Sequence, residues 1–169
     1  MRIGHGYDAH RLTAGRPLVL GGVEIESPLG LEGHSDADVL CHAVMDALLG
    51  AAGLEDIGHW FPNTDPAYRG ACSLDLLRRV SEMLTARGFA VGNVDVTVVA
   101  QRPALAPHRA AMRRNLARAL GCDPDQIGIK ATTEEGMGFT GAGEGIAAHA
   151  VALLFDTKNQ GISSYQSSI

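Results

Sequence analysis

The chain has only three cysteines, Cys41, Cys72 and Cys122, widely spaced and without a C-x-x-C pair. That argues against a disulfide framework and against a cysteine-based zinc module, and it predicts buried thiols in a reducing cytoplasm. Aromatic residues make up just 5% of the sequence, so a core must rest on Leu, Val, Ile and Ala. No apolar run approaches the length of a membrane span, and the polar, histidine-containing N-terminus does not read as a signal peptide. Nor is there an excess of positive charge: 14 Lys and Arg stand against 19 Asp and Glu, a net charge of −5. Nucleic acid and acidic membrane surfaces are therefore poor partners. Internal repeats and a linker are also missing. What is present, 169 residues with 46% hydrophobic content, suits one domain with a real core. We expect that domain over residues 1–156 and a polar, disordered tail over 157–169.

The chain is organised around Gly33–Gly50, GHSDADVLCHAVMDALLG, which reads as an amphipathic helix running on to about Leu54. Ser35 is the expected N-cap, with Asp38 at the third helical position of a capping box. Val39, Leu40, Ala43, Val44, Ala47 and Leu48 form one apolar face, and Asp38, His42 and Asp46, at i, i+4 and i+8, a polar stripe at its edge. Such a stripe is costly to desolvate unless something pairs with it.

Around this helix, Arg2–Leu12 reads as a strand with a short partner at Pro17–Ile25. Asp56–Asp65 is a turn-rich loop, and Cys72–Arg87 has helical spacing ending at Gly88. Val91–Ala100 alternates as a strand, His108–Leu120 is a basic helix stopped by Gly121, and Gln126–Thr133 is a further strand. Glu134–Gly145 is a glycine-rich connection, and Ile146–Phe155 is read as a strand although its apolar run also suits a helix. This order predicts an α+β two-layer sandwich, a mixed four-stranded sheet with helices on one side. The uncovered face predicts self-association.

Three constellations carry chemistry. Asp8 and His10 share one face of a strand, and His42 meets them if the helix packs over that strand. Two imidazoles and a carboxylate with one position left open form the ligand set of a catalytic zinc, with Asp38 or Asp46 orienting His42. The plainer alternative is two solvated edge residues and a satisfied core histidine. His34 and Ser35 lie at an expected helix N-terminus, which favours a phosphate or is simply capped. In KATTEEGMGFTGAGEG, Lys130–Gly145, Thr132 and Thr133 offer hydroxyls and Glu135 a hard oxygen ligand for Mg²⁺ or Mn²⁺, or the segment is a flexible turn. Gly136, Gly138 and Gly141 spell G-x-G-x-x-G, but too little chain follows for a dinucleotide-binding βαβ unit. His5, on the opposite strand face from Asp8, is read with His59 and His108 as structural or surface.

With these residues in place, Asp8–His10, Gly33–Gly58, FPNTDP at Phe61–Pro66 and Lys130–Ile146 resemble the 2-C-methyl-D-erythritol 2,4-cyclodiphosphate synthases, in order and over Met1–Phe155. The resemblance implies a cytoplasmic homotrimer around a central cavity, with active sites between subunits. It implies conversion of 4-diphosphocytidyl-2-C-methyl-D-erythritol 2-phosphate to the cyclic diphosphate and CMP, in the non-mevalonate route to isoprenoid precursors. It further implies Zn²⁺ on Asp8, His10 and His42, and Mg²⁺ or Mn²⁺ on Glu135 with the substrate diphosphate. His34, Ser35 and Thr133 would steady phosphate charge, His34 and Thr133 as catalytic groups. Asp56, Gly58, Phe61 and Asp65 would bind the hydroxylated end of the substrate, with Phe139 also in contact. Ala100, Pro103 and Ala106, with Ala131 and Thr132, would form the cytosine pocket, largely through backbone groups. The chain departs from that pattern at Ala142, where relatives carry Arg, and at His149, where they often carry Glu; both imply weaker binding of isoprenoid diphosphates in the central cavity. Glu134 and Gly136 replace the common Thr and Lys, and loss of that Lys at position 136 implies slower phosphate chemistry. A metal-dependent phosphohydrolase and a non-catalytic nucleotide-binding trimer are the competing classes.

Overall fold

The computed structural model describes residues 1–158. Its strands are β1 (Arg2–Thr13), β2 (Leu18–Leu20), β3 (Val23–Ile25), β4 (Gly30–Leu31), β5 (Phe89–Val99), β6 (Ile127–Thr132) and β7 (Gly145–Asp156). The helices are α1 (Val39–Ala52), α2 (Ile57–Trp60), α3 (Ser73–Ala86), α4 (Arg109–Leu120) and α5 (Gly138–Gly141). The expected disordered tail lies, from residue 159 on, outside the described residues.

The main sheet has five strands in the order β4-β1-β7-β5-β6, rather than the expected four. The extra strand is the two-residue β4, paired with the end of β1 through Leu12 and Thr13. The segment expected as one strand beside β1 instead folds on itself as a β2–β3 hairpin. Gly21 and Gly22 both take positive φ at its two-residue turn, a twist that favours closing the hairpin rather than extending the segment. The sheet is mixed, as expected: β5 and β6 are parallel and joined through α4, whereas β7 is antiparallel to both β1 and β5. The apolar run of β7 is a strand.

The core lies between the sheet and the helical layer. Val94, Val96 and Val98 of β5, Ile127 and Ile129 of β6 and Ala148, Ala150, Ala152 and Leu154 of β7 are buried on the side that faces the helices. Helix α1 is buried nearly all round, not on one face as its pattern predicts, because β1 and β7 cover one side and α3 the other. Its approach to β1 is very close. A Cβ at Gly6 would lie 2.0 Å from the Ala43 carbonyl oxygen, and one at Gly4 equally close to that of Ala47. Glycine is required at both positions because backbone fills the space that a side chain needs.

The opposite face carries Ile3, Tyr7, Val151 and Phe155 with 74%, 47%, 45% and 37% exposure, a row of apolar side chains left uncovered among the described residues. Among the described residues, no helix is long and apolar enough to cross a membrane. Of the three thiols, only Cys41 is buried; Cys72 is exposed at the start of α3 and Cys122 half-buried, against the expectation for both.

Candidate metal centre and adjoining cavities

The start of α1 corrects the expected capping. Asp38, not Ser35, is the N-cap, and the helix begins at Val39. Fully buried, Asp38 accepts from the amides of Cys41 at 3.1 Å, Gly21 at 2.9 Å and Gly22 at 2.7 Å, and from the Cys41 thiol. It therefore ties the hairpin turn to the helix, and no bond joins it to His42. Burial nevertheless pushes its pKa up, and burial likewise pushes up the Cys41 thiol. Because this carboxylate occupies the helix end, the expected anion site at that terminus is replaced. His34 and Ser35 belong to the irregular loop before it.

With α1 pressed onto β1, His42 reaches the two β1 side chains as expected. Asp8 Oδ2 lies 2.9 Å from His10 Nε2 and 2.9 Å from His42 Nδ1, and the two ring nitrogens are 3.2 Å apart. The far side of each ring fixes its tautomer. His10 Nδ1 donates to the Glu32 carbonyl at 2.6 Å. His42 Nε2 lies 3.0 Å from the Ser73 hydroxyl, which itself donates to Asp36, so the imidazole N–H is the donor there. Neither Asp38 nor Asp46 orients His42; Ser73 and Asp36 do. Asp46 instead accepts from the Ile57 amide at 2.8 Å and holds α2 against α1. Its own pKa is raised by burial.

With the outward N–H groups so placed, two ring lone pairs and the Asp8 carboxylate converge on one point, an arrangement that could hold a metal ion. The 2.9–3.2 Å separations approach the edge of a tetrahedral zinc site, roughly 3.3 Å for ligand bonds near 2.0 Å. Among the described residues this is the one cluster of three or more His, Cys, Asp or Glu side chains arranged to hold a metal ion. The outer hydrogen bonds are those that orient metal-ligating histidines. Burial opposes ionisation of Asp8, but when the rings carry a second proton their hydrogen bonds and charge outweigh it and hold its carboxyl well below the usual range. His10 is the reciprocal case: burial disfavours its protonation, yet the Asp8 carboxylate and the Glu32 carbonyl raise its pKa.

This cluster forms part of the wall of a cavity of about 370 Å³ that also meets His34, Ser35, Gly58 and Phe61. His34 Nε2 donates to the Asp65 carbonyl at 3.3 Å. The carboxylates of Asp56 and Asp65 are engaged in capping, Asp56 on the His59 amide and Asp65 on the Ala67 amide. A second, wider cavity of about 1060 Å³ is lined by Ala100, Pro103, Ala131, Thr132 and Thr133, together with Leu12 and Ala142. Ala106 is exposed just beyond it. Thr133 donates to Glu135 Oε1 at 2.8 Å, and Glu135 itself takes a positive φ of 53°. Phe139 is 42% exposed on α5, with its ring edge against Gly145.

The two groups of expected residues do not meet within one chain. Asp8 pairs with Ala148, Ala148 with Val98 and Val98 with Ala131, so Asp8 and Ala131 stand three strand spacings apart. That is about 14 Å.

The YgbB family model matches residues 1–155. The chain belongs to the YgbB family. A 2-C-methyl-D-erythritol 2,4-cyclodiphosphate synthase of Trichlorobacter lovleyi is 62% identical over 154 residues, 91% of this chain and 98% of that protein. A solved 2C-methyl-D-erythritol-2,4-cyclodiphosphate synthase in a CDP-bound form superposes with a TM-score of 0.84 at 44% identity, covering 91% of this chain and all of the other. The bifunctional IspDF of Campylobacter jejuni superposes with a TM-score of 0.88 at 43% identity over 93% of this chain, which spans 43% of that longer protein.

Proposed function

We propose that this chain converts 4-diphosphocytidyl-2-C-methyl-D-erythritol 2-phosphate to 2-C-methyl-D-erythritol 2,4-cyclodiphosphate and CMP, in the non-mevalonate route to isoprenoid precursors. Family membership supports the reaction. The observation that carries it is the convergence of Asp8, His10 and His42, with outward N–H groups fixed and ring lone pairs turned inward. In the reaction an oxygen of the 2-phosphate bonds to the β-phosphorus, and the bond from that phosphorus to the bridging oxygen breaks. CMP departs with the α-phosphate, which makes the enzyme a phosphorus–oxygen lyase.

Phosphoryl transfer asks a protein chiefly for positioning and charge neutralisation. Asp8, His10 and His42 are the residues that would hold Zn²⁺, and Glu135, with one oxygen free of Thr133, would hold Mg²⁺ or Mn²⁺. Such ions polarise phosphoryl oxygens and hold the reacting groups in line. The protein's own part is otherwise donor placement. His34 and Ser35 present an imidazole and a hydroxyl to the cavity beside the cluster. Thr133 offers a hydroxyl in the wider cavity, where the small side chains of Ala100, Pro103 and Ala131 leave room for a flat base read by backbone groups. No nucleophilic side chain is needed, because the substrate's phosphate attacks.

The metal cluster and the base pocket open as separate cavities, with Asp8 and Ala131 about 14 Å apart across the sheet, which favours sites shared between copies. The uncovered apolar face of the sheet favours association, and we infer a homotrimer around a central cavity. Ala142, which lines the wider cavity, and His149 on the open face leave that trimer cavity without the arginine expected for an isoprenoid diphosphate.

The test is turnover of the cytidyl substrate with zinc and magnesium, before and after chelation. CMP and cyclic diphosphate in equal amounts, lost on chelation and restored by zinc, are expected. Release of free phosphate would point to a phosphohydrolase, and CDP binding without turnover to a nucleotide-binding protein; either result overturns the proposal.

A further inference from the structure

The open face of the sheet carries a second pair of imidazoles. His5 on β1 and His149 on β7 are diagonal neighbours across the antiparallel ladder, His5 facing Val151 and His149 facing Tyr7. Both are exposed. His149 Nδ1 lies 3.4 Å from His5 Nε2, with ring centroids 5.6 Å apart. This repeats the histidine geometry of the Asp8 cluster, where an Nε2 of β1 and an Nδ1 from outside it are 3.2 Å apart and the centroids 5.3 Å. The Tyr7 ring, 4.8 Å from that of His149, packs against the pair. On the same face the carboxylate of Asp95 is taken by Lys130.

We propose that His5 and His149 form a second binding site, for a transition-metal ion such as Zn²⁺ or Ni²⁺, with water completing the shell. Two imidazole nitrogens on one tetrahedral zinc, each about 2.0–2.1 Å from it, stand about 3.3 Å apart, close to the separation already present here. The two nitrogens already share one hydrogen bond, so an ion that replaces its proton needs little movement of either ring. Imidazole without carboxylate selects zinc, nickel or copper over magnesium. Two ligands bind more weakly than three, so this site fills after the Asp8 cluster. It lies on the other face of the sheet from that cluster, and it does not rest on the reaction proposed above.

Zinc titration of chelator-stripped protein, followed by calorimetry, separates the two sites. Wild type is expected to show a tight event and a weaker one. His5→Gln and His149→Gln each lose the weaker event and keep the tight one, with CMP release at one equivalent of zinc unchanged. His42→Ala does the reverse. Isotherms of wild type, His5→Gln and His149→Gln that coincide would overturn the second site. Loss of the weaker event with no tight event in wild type would overturn the Asp8 cluster and leave the His5–His149 site standing.

Discussion

The two cavities are built by opposite means. The smaller one is made of side chains, and both of its ligating histidines depend on partners far along the chain: His10 on Glu32, and His42 on Ser73, which Asp36 holds in turn. The wider one is made of loop backbone and small residues, with Ala100, Ala104, Ala131, Ala142, Gly141, Gly143 and Gly145 in its wall. A side-chain site fails when a single atom is removed. A backbone site survives truncation and fails only when it is filled.

His42→Ala gives the sharpest break between them. It removes one of three metal ligands, and several kcal/mol of phosphoryl stabilisation lost with the ion corresponds to about a thousandfold lower turnover. Thr132→Ala in the wider cavity is expected to change turnover by less than about threefold, since the backbone that lines it is kept. Comparable losses for both variants would erase the distinction.

Gly6→Ala attacks the same cavity from behind. The added methyl meets the Ala43 carbonyl oxygen at 2.0 Å, so α1 must move off β1 and carry His42 with it. We expect about 1–3 kcal/mol of lost stability, read as a lower urea midpoint, together with weaker zinc binding. Gly15→Ala, where a Cβ meets nothing, is the matched control; its positive φ of 79° adds only the ordinary strain of that backbone region. Equal destabilisation by the two would count against the close approach as the cause.

Ser73→Ala leaves all three ligands in place and removes the hydroxyl that receives the His42 N–H. Losses of such outer partners run at about 10–100-fold in metal affinity or activity. Ser73→Thr, which keeps the oxygen, should recover most of it. Zinc affinity unchanged in the alanine variant would mean that packing alone orients His42.

How much of this was legible follows the same division. Asp8 and His10 could be read from strand alternation, and His42 from its place on a helix, because a two-residue or 3.6-residue period reports which way a side chain points. Ser73 and Asp36 could not, since they meet only after α3 packs beside α1, 37 residues of separation notwithstanding. The cap was misassigned for a related reason. Ser35 and Asp38 both suit an N-cap, and the choice fell to Asp38 because the Gly21–Gly22 turn, distant in sequence, presents two more amides to it. The wider cavity was legible only through family resemblance, as backbone-lined pockets leave no residue pattern of their own.

The smallest effect expected is on pH. The metal must displace any proton from His10. Burial lowers its pKa, but the Asp8 carboxylate and Glu32 carbonyl together raise it above the ordinary 6.5. Protonation of His10 therefore begins to compete with zinc at a higher pH than it would at an ordinary imidazole. Below the His10 pKa, affinity should fall about tenfold per pH unit for the one proton displaced. Asp8, held well below the usual carboxylate range, adds no second proton until the solution is far more acidic. The described wall of the wider cavity holds no histidine, so CDP affinity measured without zinc should change less than zinc affinity between pH 8 and about pH 6.5. Parallel decline of the two would mean that the base pocket and the metal cluster report a shared loss of structure rather than one histidine.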